Sequence, residues 1–120
     1  MRIINGRRVE RGLIIDKPWI ELILRLIKTW EMRSKPTKIR GDIALIEKGT
    51  GMIVGLATLT DSPEEYSIEE LICNQDKHQI DYMVQPELQK WNCPWILENI
   101  ERIEPVPYTH KQGAVIWVKL

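Results

Sequence analysis

The period of the apolar residues changes once within residues 18–41, and that change limits the folds open to the chain. From Pro18 to Ile27, Trp19, Leu22, Ile23, Leu26 and Ile27 fall at i, i+3, i+4, i+7 and i+8, and Ile20 and Leu24 widen the stripe. This spacing predicts a helix, with Asp16 or Lys17 at its cap and Pro18 in its first turn, where a missing N–H costs little. At Lys28 the period drops to two: Thr29, Glu31 and Arg33 share one face of a strand, and Trp30 and Met32 share the other. A helix that runs straight into a strand sets Lys28 at the junction, facing the same opening as Glu31. Ser34, Lys35, Pro36 and Thr37 supply a turn, and Lys38 and Arg40 carry positive charge on to Gly41. A carboxylate and a guanidinium on a strand face, at the mouth of a basic loop, form the candidate site.

The remaining chain reads mostly as strand. Asn5-Gly6 marks a hairpin between Ile3-Ile4 and the run from Val9 to Ile15. A second hairpin is expected from Gly41 to Leu59 around Gly49-Thr50-Gly51, with Gly55 and Ala57 small on one face, either to admit the first helix, the favoured reading, or to bring backbone close to a ligand. Ser62-Pro63-Glu64-Glu65 and Ser67-Ile68-Glu69-Glu70 each place a carboxylate three residues after a serine, which predicts short helices between Pro63 and Asn74. Residues 75–92 carry no decisive pattern. A strand is expected over Trp95–Ile103, and an extended loop forced by Pro105 and Pro107 up to Gly113. A terminal strand is expected over Ala114–Leu120, apolar on both faces and therefore central or barrel-closing. With 120 residues, 43% of them hydrophobic, the chain supports one core. The expected fold class is α+β, mainly β: a small closed barrel of about six strands with two to three flanking helices. Residues 1–11 form an N-terminal hairpin extension of a single domain over 12–120.

Net charge is zero, yet residues 1–41 hold 11 Lys and Arg against 4 Asp and Glu, and residues 42–120 hold 6 against 13. Either the molecule is electrically two-sided or folding mixes the two halves on one surface. Cys73 and Cys93 form no Cys-x-x-Cys pair and read as free thiols. Cys73, His78, Cys93 and His110 match no compact zinc spacing, so neither a metal nor another cofactor is expected. No stretch approaches the ~18 consecutive apolar residues of a membrane helix, and no signal peptide is evident, so a soluble cytoplasmic protein is expected.

The run GLIIDKPWIELILRLIKTWEMRSKPTKIRGDIALIEKG, followed by IVGLAT and, near the end, PVPYTHKQGAVIWV, resembles the ASCH domain family, whose fold is similar to the PUA RNA-binding domain. The family signature, Gly-x-Lys-x-x-Glu-x-Arg at the exit of the first helix, is matched by Lys28, Glu31 and Arg33. Leu26 stands at its glycine, so the helix is expected to end in another way. The resemblance implies a PUA-like barrel with a cleft beside the first helix that binds RNA or a nucleotide. Some members are reported as ribonucleases. One branch hydrolyses N4-acetylcytidine with a lysine, a glutamate and a threonine three residues after the lysine. Glu31 occupies that third position here, so that mechanism does not transfer.

Two functions therefore remain open. In the first, a binding module, Glu31 and Arg33 read a base or nucleotide edge while Lys35, Lys38 and Arg40 hold phosphate. In the second, a hydrolase acting on RNA or a modified nucleoside, Lys28 and Glu31 are the catalytic pair. The bland alternative pairs Glu31 with Arg33 structurally and leaves Lys28 as a solvated cation at the helix end. A weaker third possibility is a protein partner on the acidic side formed by Glu64, Glu65, Glu69 and Glu70.

Overall fold

A computed structural model describes residues 1–120. The N-terminal hairpin pairs β1 (Arg2–Ile4) with β2 (Arg7–Val9), and Asn5 and Gly6 both turn at positive φ. The chain continues through β3 (Arg11–Ile15), α1 (Trp19–Leu24), β4 (Trp30–Arg33), β5 (Gly41–Glu47) and β6 (Met52–Asp61). Two short helices follow, α2 (Ile68–Cys73) and α3 (Gln75–His78), then a 3₁₀ turn at Pro86–Lys90, β7 (Cys93–Pro107) and β8 (Trp117–Lys119). Six strands form one curled half-barrel sheet in the order β4-β7-β6-β5-β3-β8. All its pairs are antiparallel except β3 with β5, which needs the crossover through α1 and β4.

The sheet is covered on both faces, which is why β3 and β5 read as unbroken apolar runs. Leu13, Ile15, Ile43 and Leu45 point into a core closed by Ile20, Ile23 and Leu24 of α1 and by Trp95. Ile14, Ala44 and Ile46 point the other way, under Ile4 and Val9 of the hairpin. Gly55 lets α1 approach: a Cβ there would lie 2.5 Å from a Leu24 methyl carbon and 3.0 Å from the Glu101 carbonyl oxygen. A third cluster gathers Trp30 and Met32 with Leu71, Ile80 and Tyr82.

Several elements differ from the sequence expectation. The first helix is one turn shorter, ending at Leu24, and Leu26 and Ile27 are exposed. Its cap is Pro18 rather than Asp16 or Lys17. Of the two serine signals only Ser67 caps a helix, in a reciprocal capping box with Glu70; Ser62 instead accepts a hydrogen bond from the Thr37 amide. β7 continues through Pro105 and Pro107. Beyond Leu97 it pairs only with β6, so one side is a free edge that tolerates prolines without an N–H. The terminal strand is three residues at the edge of the sheet, not a central or closing strand. Val115 is 75% exposed, and the sheet stays open between β4 and β8.

Candidate functional site

The site begins at the end of α1. Leu26 takes a left-handed conformation (φ 64°), its N–H bonds the Ile23 carbonyl, and the Ile27 N–H bonds the Leu22 carbonyl. This is the Schellman arrangement with leucine in the glycine position, so the helix ends as the glycine signature would have it, and the expectation of a different ending is corrected. The reversal turns Lys28 inward. Lys28 is 1% exposed, which rules out the solvated helix-end cation. Its Nζ donates to the His78 carbonyl at 2.6 Å, stands 4.0 Å from Glu31 Oε1 and lies over the Trp19 ring.

α3 is shaped to present that carbonyl. His78 is buried; its Nδ1 accepts from the Ile80 amide at 3.0 Å, which leaves Nε2 as the donor to the Leu71 carbonyl. The imidazole is thus held neutral, and burial first, with nearby Lys28 adding to it, keeps its pKa below the usual value. His78 acts here through its backbone and not as a metal ligand. Cys73 is exposed on α2, Cys93 is buried on β7, and His110 bonds Tyr108.

Glu31 is also buried, opposite Trp95 in the β4–β7 ladder. Its Oε2 accepts both Nε (3.1 Å) and Nη2 (2.8 Å) of Arg33. Arg33 Nη2 also donates to the Ile14 carbonyl of β3, and the guanidinium lies over Trp95. One arginine therefore fixes the carboxylate and ties β4 to β3. Glu31 Oε1 makes no hydrogen bond, and no fully buried polar side-chain atom lacks a partner, so Oε1 is open to the neighbouring space.

That space is a cavity of about 220 Å³. Lys28, Glu31 and Arg33 line its polar wall; Trp19, Ile80, Trp91, Val115 and Ile116 line much of the rest. Burial lowers the Lys28 amine from the ordinary lysine value of 10.5 to about 8, and Arg33 adds to the shift while Glu31 opposes it. Of the expected site residues, the fold brings Lys28, Glu31 and Arg33 together. Lys35 is exposed on the adjoining turn, its carbonyl accepting the Trp95 indole N–H. Lys38 and Arg40 line a different depression, with Arg8 and Arg11. Sequence reasoning missed Trp19, Trp91 and the His78 carbonyl, because their elements meet only in the fold.

Residues 13–107 match the sequence pattern of the ASCH domain. The chain belongs to the ASCH domain family. Membership supports a general RNA-binding or related function. The fold is similar to that of the ASCH protein of Zymomonas mobilis, with a TM-score of 0.69 at 12% identity, covering 92% of this chain and 87% of that one. Two single-residue variants of the same Zymomonas mobilis protein, serine to alanine and tyrosine to phenylalanine, each give a TM-score of 0.71 at 14% identity. They cover 95% and 94% of this chain and 89% and 91% of theirs. Comparison with curated proteins gave no match. The PUA-like, mainly β expectation holds. No helix is long and apolar enough to cross a membrane.

Proposed function

We propose that this ASCH domain binds RNA or a nucleotide, taking one base into the cavity at the end of α1. The observation that carries the reading is the pair of polar atoms left facing it. Lys28 Nζ has donors to spare, and Glu31 Oε1 has no partner although its carboxylate is locked by Arg33. At 4.0 Å the two are too far apart to satisfy each other, and a base edge offering an acceptor beside a donor satisfies both. The cavity falls short of the ~300 Å³ at which pockets for drug-sized ligands begin, which suits a single heterocycle, and Trp19 and Trp91 offer it aromatic surface. Lys35, Lys38 and Arg40, outside the cavity, hold phosphate.

A second reading, a hydrolase acting on RNA or a modified nucleoside, draws on one observation. An amine near pKa 8 beside a carboxylate has the pairing that general acid–base catalysis uses. Against it, no serine, threonine, cysteine or tyrosine lines the cavity, so the pair has no hydroxyl or thiol nucleophile to activate.

Glu31→Gln separates the readings. Glutamine keeps the reach of glutamate without its basicity, so a binding site loses about 1–3 kcal/mol of affinity. A site that needs the general base instead loses roughly 10²- to 10⁴-fold in turnover at near-normal affinity. Binding and hydrolysis are measured on one preparation across a panel of RNAs, nucleosides and N4-acetylcytidine. Turnover in the wild type that Glu31→Gln abolishes would replace the binding module with the enzyme.

A further inference from the structure

The N-terminal hairpin lies outside the residues that match the family pattern, and alternation along β2 divides its cations between two tasks. Arg7 turns toward the sheet: it bonds the Asp42 carboxylate, the Thr58 hydroxyl and the Asn99 carbonyl, and together with buried Ile4 and Val9 it fixes the hairpin in place. Arg8 turns outward. With Arg11, Lys38 and Arg40 it surrounds a surface depression of about 420 Å³. Two carboxylates share that rim, but Asp42 is already held by Arg7 and Thr58, and Glu10 meets Arg8 in an exposed contact at 3.6 Å that contributes little.

The positive surface continues across the sheet edge. Arg11 lies directly opposite Lys119 in the β3–β8 ladder, an arrangement of like charges that costs stability unless an anion lies between them. Neither Arg11, Lys38 nor Lys119 has a carboxylate within 4.0 Å. Arg11 and Lys119 line a second depression that shares Arg11 and Glu10 with the first, and its wall includes Trp117. Trp117 is half-buried and stacks on Trp95 with ring centroids 5.7 Å apart. Trp95 is also the ring beneath Arg33, so this surface adjoins the cavity wall.

We propose that the docked hairpin and the sheet edge form a backbone track for single-stranded RNA, with Arg8, Arg11, Lys38 and Lys119 on phosphates and Trp117 beneath a base. A line of cations beside an aromatic face is what a single strand, with unpaired bases, engages. The track rests on the proposed RNA-binding function and extends it from one base to several nucleotides.

The test is fluorescence anisotropy of a labelled 12-nucleotide oligouridylate over a potassium chloride series, on the wild type and on the triple change Arg8→Gln, Arg11→Gln, Lys119→Gln. Each phosphate contact contributes about 0.7 to the slope of log affinity against log salt, so the triple change should flatten it by roughly 2. Lys38→Gln, in the loop before β5, should flatten it by about 0.7 and serves if the triple variant melts early. Glu31→Gln, measured alongside, should lower affinity and leave the slope in place. A loss of slope in the triple variant with no response to Glu31→Gln would keep the track and remove the cavity. Unchanged slopes in folded track variants would overturn the track. A 12-base-pair duplex bound as tightly as the single strand would overturn the assignment to single strands.

Discussion

Lys28 is a buried base whose folded pKa, about 8, lies below its ordinary 10.5. In the folded state it therefore binds fewer protons than in the unfolded chain between those two values, and stability rises with pH across that window. The burial penalty is fully present below pH 8 and disappears as pH climbs toward 10.5, a change of roughly 3 kcal/mol. Denaturant melts of wild type and Lys28→Met between pH 7 and 10.5 should show the rise in the first only; parallel curves would mean that Lys28 is not held at this cost. His78 works in a separate, lower window: its depressed pKa makes stability fall as pH drops below 6.5. At Leu26 the fold holds a leucine at φ 64° while 63% of it is exposed, so little packing offsets the backbone cost. Leu26→Gly should stabilise by about 1 kcal/mol and raise the Tm by roughly 4 °C. A lower Tm in a thermal scan would show that the side chain makes a contact worth more than the strain.

The packing of α1 on β6 depends on the missing side chain at Gly55. Gly55→Val should cost about 1–3 kcal/mol through overpacking against Leu24 and the Glu101 carbonyl. A urea melt that leaves the midpoint unchanged would mean α1 can shift outward freely. Elements with a strong local signal were legible in the sequence: the Asn5-Gly6 hairpin, the alternation of β4 and the Ser67 capping box. Those decided by tertiary context were not. Pro105 and Pro107 look like strand breakers until β7 is seen to have one free edge there, and Val115 and Ile116 look like core until they are seen at the cavity mouth. The end of α1 is hard to read because a left-handed leucine is rare; the bonds from the Leu26, Ile27 and Lys28 amides back to the helix outweigh its propensity.

At the scale of the molecule, the shared face of Glu31 and Arg33 was legible, whereas Met32, expected on the opposite face, also lines the cavity. The opening between α1 and β4 was expected, but the far walls of the cavity were not, since they come from the turn after α3, residue 91 and the segment before β8. The charge asymmetry along the sequence is gathered around one depression, where the hairpin sets Arg8 beside Arg11 of β3 and Lys38 and Arg40 of the loop before β5. Two of the five tryptophans report on the cavity without any substitution. Trp19 and Trp91 line the cavity, whereas Trp30 packs in the cluster with Leu71 and Tyr82. A ¹⁵N–¹H NMR titration with each of the four ribonucleoside 5′-monophosphates should move the Trp19 and Trp91 indole signals in a saturable way and leave Trp30 in place. Saturation confined to Trp117, or no indole response to any of the four nucleotides, would contradict binding in the cavity.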